Sequence, residues 1–350
     1  MTGSAEVIVW QDGPLGRLRL NRPDALNALT HGMCLEIEKA LISWRDDTSV
    51  TAILVDAESD RAFCAGGDIQ YLYETGRKDP EPGRQFWRDE YRLNAMISNY
   101  PKPYISLMNG ITMGGGVGIS AHGSHRIVSD RTMVAMPETS IGFIPDVGGT
   151  WLLARAPGAT GIYLGLTGAR MNAADAIFAK FADTFVPAEK LPGMIEDLTN
   201  GASPEAAIAK HAAIADGGTL EGAQDQISEA FGRPDVPAVV ARLEELTASG
   251  DEWASKALTM ISRNAPLALV ATFTVIHRAR KLTSLEEALA LEFNYAHRAI
   301  AGHDFLEGIR AMVVDKDRKP RWQPSRLEDV TAEMVDDMFS TLGDKEWKAA

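Results

Sequence analysis

Three glycine-bearing segments of this chain carry residue types able to act on a carbonyl group. The first is Ala62-Phe63-Cys64-Ala65-Gly66-Gly67-Asp68-Ile69. Its adjacent glycines let backbone N–H groups turn outward toward a ligand. The second is Asn109-Gly110-Ile111-Thr112-Met113-Gly114-Gly115-Gly116-Val117-Gly118. There a strand pattern runs into a glycine run that opens a helix, whose first N–H donors attract negative charge. The third, Met136 to Thr150, places two carboxylates, Glu138 and Asp146, in a loop rich in Gly and Pro. Two loops that each offer one N–H to a single oxygen make an oxyanion hole, where each donor is worth about 3–4 kcal/mol of barrier. A carboxylate beside such a hole supplies base or nucleophile chemistry.

Each segment also has a plainer use. An Ala-Gly-Gly loop can be a simple turn. A Gly-Gly-Gly run can serve close packing of a helix against a neighbour, at about 1 kcal/mol per glycine in helix stability. Glu138 can be a solvated carboxylate, and Asp146 a helix N-cap near Gly149. Several common motifs do not fit. Gly114, Gly116 and Ile119 lack the third glycine of a dinucleotide fingerprint, and no Gly-Lys-Ser/Thr phosphate loop occurs. A serine-nucleophile elbow would need glycine where His122 stands. His122 and His125 are three apart with no third ligand in sequence reach, so no metal site is expected.

The elements that must hold these loops alternate strand and helix. Glu6–Trp10 and Arg17–Leu20 predict a hairpin. Met33, Ile37, Ala40, Leu41 and Trp44 share one helical face, which predicts a helix over His31–Arg45. Thr51–Asp56 and Tyr104–Met108 read as buried strands, and His125–Ser129 and Thr132–Ala135 as short ones. Helices are expected from about Arg84 to Ser98, from near Asp68 and over Gly116–His122. Past about Pro187 strand signals give way to helical ones: Pro204–Ala215, Leu220–Phe231, Val236–Ala248, Glu252–Arg263, Leu267–Leu282 and Leu285–Ala301, with Thr331–Thr341 as a last helix. The expectation is an α/β core over residues 1–190 carrying the site, then a mainly helical region over 191–350.

Composition narrows the class. The chain has 350 residues, of which 45% are hydrophobic and 24% charged, as in globular proteins. A net charge of −13 disfavours nucleic acid and anionic lipid as partners. The two cysteines, Cys34 and Cys64, support neither a disulfide framework nor a four-cysteine zinc site, and suit a reducing compartment. No leader shows in Met1–Trp10, and no run of about 18 apolar residues occurs. A cytoplasmic protein is therefore expected.

The segments LNRPDALNALT (Leu20–Thr30), AFCAGGDI (Ala62–Ile69), GITMGGGVGIS (Gly110–Ser120) and MPETSIGFIPDVGGT (Met136–Thr150) resemble the crotonase, or enoyl-CoA hydratase/isomerase, superfamily, and most of all its 3-hydroxyisobutyryl-CoA hydrolase branch. DEYRLN (Asp89–Asn94), LTGARMNAADA (Leu166–Ala176) and Gly302–Trp322 extend the resemblance through nearly the whole chain. It implies a spiral of ββα units with a helical C-terminal region. It implies an acyl-CoA ligand whose thioester oxygen sits between the N–H groups of Gly67 and Gly115, with Glu138 as the main catalytic carboxylate. It adds Glu90 and Asp146 to the substrate site, and Ala65, Asp68 and Ile69 to the CoA site. CoA is then part of the substrate and no other cofactor is implied.

One departure matters. Hydratases that resemble this chain carry a second catalytic glutamate where Gly118 stands. Water addition by that family uses two carboxylates around one water, and each such group contributes roughly 10²–10⁴-fold. Gly118 with Asp146 therefore points to hydrolysis of a 3-hydroxyacyl-CoA, in valine breakdown, over hydration. An enoyl-CoA hydratase or isomerase of the same fold is the alternative, and a non-catalytic acyl-CoA binding protein a further one. Candidates for the CoA phosphates are Arg22, Lys102, Lys316, Arg318, Lys319 and Arg321. The superfamily's habit of forming trimers makes a homo-oligomer possible.

Overall fold

The computed structural model describes residues 5–349; Met1 to Ser4, part of the segment read for a leader, and Ala350 lie outside them. Two compact units emerge, interleaved along the chain rather than divided near residue 190. The first comprises the stretch ending at Gly67, Asp89–Ala135 and Met171–Thr219. The second comprises Asp68–Arg88, Met136–Arg170 and the chain from Leu220. The interleaving has a packing cause. Within the second unit, Gly76 lies against Ile300 and Leu306, and Gly142 against the Asp304 backbone. Segments that leave the strand region early thus bury their faces on late helices.

In the first unit the strands are β1 (Val7–Asp12), β2 (Leu15–Leu20), β3 (Ala52–Ala57), β4 (Ala62–Cys64), β5 (Tyr104–Met108), β6 (Ile111–Met113), β7 (His125–Val128), β8 (Met133–Ala135) and β9 (Thr184–Phe185). A six-stranded sheet has the order β1-β2-β3-β5-β7-β9, and a three-stranded sheet the order β4-β6-β8. The β1–β2 hairpin is antiparallel and the other pairs are parallel. Successive pairs β3/β4, β5/β6 and β7/β8 each place a longer strand in the large sheet and a three-residue strand in the small one. These are the expected ββα turns. Ile53, Leu54, Val55, Ile105 and Met108 are fully buried, as parallel strands covered on both faces require.

The expected His31–Arg45 helix forms, and Met33, Ile37, Ala40, Leu41 and Trp44 are its buried face. Thr30 caps it by accepting a hydrogen bond from Met33 N at 3.1 Å. Lys102 Nζ closes the other end on the carbonyls of Trp44 and Asp47, which satisfies acceptors a helix leaves open there. The second unit is mainly helical, with Pro266–Ala279 and Leu285–Ala299 its longest helices.

Candidate active site

Strand pairing brings the first two glycine loops together. β4 and β6 are parallel neighbours, with Ala62 opposite Ile111 and Cys64 opposite Thr112. Parallel strands in this register release their following loops at the same edge of the sheet. A methyl group built on Gly115 would lie 3.4 Å from Gly67 N, so the two residues are in contact range. Neither amide donates to a backbone carbonyl among the described residues. For Gly115 this follows from its place at the first residue of the Gly115–Gly118 helix, where N–H groups lack intrahelical acceptors.

The three glycines of the run have separate uses. Gly114 sits at φ 46°, ψ −120°, a conformation closed to residues with a side chain. Gly116 serves packing, since a Cβ there would stand 2.3 Å from the Cys64 carbonyl oxygen. Gly115 lies beside Glu90, whose Oε1 would be 2.7 Å from an added Cβ. The helix is shorter than the expected Gly116–His122 because the chain turns after Gly118.

Glu90 is buried on the Glu81–Ser98 helix. Its neighbour Asp89 is bound by His31 Nε2 at 2.7 Å and Arg92 Nη1 at 2.5 Å, and Arg92 also grips Glu38. One helical turn on, Asn94 is fully buried, and neither of its side-chain polar atoms meets a partner among the described residues. Cys34 and Cys64 are free and buried. Burial pushes the Cys64 thiol up to about 12, so it is no thiolate nucleophile at neutral pH. Ala65 N donates to Leu26 O at 3.1 Å.

The second unit holds Glu138 and Asp146. Glu138 opens a 3₁₀ turn, Glu138–Ile141, pinned by the segment that leads into the Pro266–Ala279 helix. Asn264 Nδ2 donates to Thr139 Oγ1 at 3.0 Å and to Leu166 O at 2.8 Å, and Ala265 N donates to Thr139 O. Phe143, just beyond, stacks on Trp87 at 5.2 Å and meets Phe305 and Tyr295. Glu138 is 7% exposed, and its Oε2 is buried with no partner among the described residues. Burial first, and then the Asp146 charge, hold its carboxyl well above the ordinary carboxylate range. Asp146 is itself buried. It is not a helix cap: Gly148 holds that position for the Gly149–Arg155 helix, and no side chain caps it. The plainer reading of Glu138 as a solvated carboxylate also fails on burial.

A further buried acid, Glu292, lies outside the residues that the sequence motifs mark. It lies on the Leu285–Ala299 helix with no exposed surface. It accepts hydrogen bonds from Gly148 N at 2.7 Å, Thr150 N at 3.0 Å and Thr150 Oγ1. The one sequence signal was its position on an apolar stripe, Leu285, Leu289, Glu292, Ala296 and Ala299.

Comparison with known proteins places these loops in context. The family model described as enoyl-CoA hydratase/isomerase matches residues 15–339. The chain belongs to the enoyl-CoA hydratase/isomerase family. Within it, an enoyl-CoA hydratase structure from Rhodobacter sphaeroides 2.4.1 is 45% identical, covers 98% of this chain and 100% of its own, and superposes with a TM-score of 0.93. A carnitinyl-CoA dehydratase structure from Mycobacterium thermoresistibile is 42% identical over 98% of both chains, with a TM-score of 0.94. The mitochondrial 3-hydroxyisobutyryl-CoA hydrolase of Xenopus tropicalis is 37% identical over 353 residues, 98% of this chain and 91% of that protein. The mitochondrial naming of such family members overturns the expectation of a cytoplasmic protein. That expectation rested on cysteine usage and on the lack of a visible leader, and a mitochondrial interior is also compatible with free thiols.

Other residues singled out in this family member have structural employment. Asp68 caps the Ile69–Gly76 helix, its Oδ1 accepting from Tyr71 N at 3.1 Å. Arg22 pairs with Glu6 at 3.0 Å and donates to Ala28 O, and Lys102 is the helix cap described above. Lys316, Arg318, Lys319 and Arg321 are exposed. His125 pairs with Glu205 at 3.6 Å.

Proposed function

We propose that this chain hydrolyses a 3-hydroxyacyl-CoA thioester, 3-hydroxyisobutyryl-CoA above others, to the free hydroxy acid and CoA. The observation that carries the reading is a pair of buried carboxylates, Glu138 and Asp146, in a chain whose Gly118 offers no second glutamate for hydration. The hydrolase relative supports it. The family resemblance assigns both glycine amides and Glu138 to one thioester. On that assignment the amides of Gly67 and Gly115 polarise the carbonyl and hold the oxyanion that forms. Glu138 then attacks the carbonyl carbon, giving an anhydride that water opens, or it takes a proton from an attacking water. In both routes the C–S bond breaks, CoA leaves as thiolate and gains a proton, and one water is consumed. In the base route its oxygen enters the acid. When water opens an anhydride at the glutamyl carbonyl, its oxygen stays on Glu138 while a Glu138 oxygen leaves in the acid. Single turnover in heavy-oxygen water tests the covalent route: label in Glu138 marks an anhydride opened at the glutamyl carbonyl, and label in product alone marks water attack on the acyl carbon. Glu90 binds the 3-hydroxyl, and Asp146 orients water or tunes Glu138. Ala65, Asp68 and Ile69 face CoA with backbone or apolar groups. CoA enters with the substrate, and the reaction needs no further cofactor.

The hydratase and dehydratase structures favour a second reading, enoyl-CoA hydration on the same fold. The deciding measurement is thiol release from 3-hydroxyisobutyryl-CoA against loss of enoyl absorbance from crotonyl-CoA. Thiol release with negligible hydration is expected. Efficient hydration without thiol release overturns the hydrolase reading.

The raised Glu138 carboxyl sets a pH dependence. A base or nucleophile works ionised, so kcat/KM climbs with pH until Glu138 has lost its proton. Asp146→Asn removes the charge that opposes this ionisation, and the acid limb moves to lower pH. The plateau falls about tenfold or more as an orienting carboxylate is lost. An acid limb that stays in place would remove Asp146 from contact with the Glu138 equilibrium.

A further inference from the structure

We propose that Glu292 is a positioning residue that fixes the Asp146 loop for catalysis, acting through the loop backbone and never touching substrate. The inference rests on the hydrolase reading. The loop from Pro145 to Thr150 needs an external restraint. Val147 lies at φ 55° and Gly148 at φ 78°. Left-handed backbone is a poor fit for a β-branched residue, costs on the order of 1–3 kcal/mol, and persists only where surroundings enforce it. Glu292 supplies the enforcement. Its two oxygens take the N–H groups of Gly148 and Thr150 and the Thr150 hydroxyl. The bonded residues flank Gly149, so the carboxylate clamps the chain immediately after Asp146 and Val147. Gly149 N donates to Asp146 O at 2.7 Å, which ties Asp146 to the clamped turn.

A buried carboxylate is an expensive clamp. Desolvation of a charged group is offset only by full hydrogen bonding. Here burial pushes Glu292 up to about 8, while the Thr150 and Gly148 donors work in the opposite direction. An apolar residue of similar size would fill the same space on this helix stripe without that cost, but it would leave two backbone donors orphaned. The retained acid therefore has its use in the loop rather than in helix packing. Asp146 and Glu138 both interact electrostatically with it, and both belong to the proposed machinery.

The test compares wild type, Glu292→Gln and Thr150→Val. Glu292→Gln keeps the volume and one acceptor oxygen but turns an NH₂ toward donors. Thr150→Val removes only the hydroxyl donor and keeps both amide bonds. Expected for Glu292→Gln are a kcat lower by about 10–100-fold with KM changed less than about threefold, the penalty of a misplaced reacting group. Hydrogen exchange of the peptide spanning Asp146–Thr150 accelerates by about tenfold or more, with the Tyr104–Met108 strand unchanged. Thr150→Val gives a smaller change in the same direction. Unchanged loop exchange in Glu292→Gln overturns the proposal. So does faster exchange with unchanged kcat, or a fall in kcat that tracks a global loss of protection. A wild type that releases no thiol sinks the hydrolase reading instead, and the loop exchange still decides whether Glu292 holds the turn.

Discussion

Glu138→Gln abolishes thiol release while raising the melting temperature. The catalytic loss is expected at about 10³–10⁴-fold in kcat, because a glutamine can neither attack the carbonyl nor accept a proton, and a lone acid–base group contributes up to about 10⁴-fold. KM changes little, since the amide keeps the shape of the side chain and the glycine loops are untouched. The stability gain follows from linkage. Burial raises the folded-state value of Glu138 above its unfolded value. The folded chain therefore favours the protonated form, and that contribution is fully present below the unfolded value and lost as pH rises through the folded one. Glutamine stays neutral throughout. The difference in melting temperature between variant and wild type consequently grows with pH. Calorimetry of both proteins at acidic, neutral and mildly alkaline pH measures it. An active Glu138→Gln enzyme moves the chemistry to another residue, and a gap that does not widen with pH means Glu138 ionises as an exposed acid does.

Much of this arrangement was legible in the residues themselves. The helix over His31–Arg45 and the strand Tyr104–Met108 have the predicted bounds, because the first has a five-residue apolar face at helical spacing and the second is a short apolar run between Pro103 and Asn109-Gly110. The strands β4 and β6 were not anticipated as strands. Each has three residues, too few for an alternation to register, yet their pairing is what sets Gly67 beside Gly115. The helix Thr160–Thr167 is buried on every side, so it has no polar face and no helical period to read. The interleaving of the two units escaped for a related reason: periodicity reports which face a segment buries, not what buries it. Glu138 and Asp146 stood out as acids in a glycine-rich loop. Glu292 did not, being a single acid in a long helix more than 140 residues further on, and only the donors of Gly148 and Thr150 reveal its use.

Gly116→Ala carries the second large effect, and it discriminates between packing and ligand roles within one glycine run. The added methyl would meet the Cys64 carbonyl oxygen at 2.3 Å, the Cys64 Cβ at 2.9 Å and its carbonyl carbon at 3.1 Å. Two of these atoms are backbone within β4, which is tied to β6, so the short helix must move rather than the strand. Overpacking of this kind costs about 1–3 kcal/mol, and more where the obstacle is rigid. The same displacement drags the neighbouring Gly115 amide, the proposed oxyanion donor, off its line. Loss of one such donor costs about 10²–10³-fold in kcat. Gly115→Ala tests the contrast. Its methyl meets first the far end of the Glu90 side chain, which can swing aside, so stability falls less while substrate binding suffers through Glu90. Thermal unfolding and steady-state kinetics of the two alanine variants should thus separate. The alanine at 116 lowers melting temperature and kcat together, and the alanine at 115 mainly raises KM. Equal and small effects from both would mean that the Gly115–Gly118 helix tolerates a shift, and that its first amide is not held in register for an oxyanion.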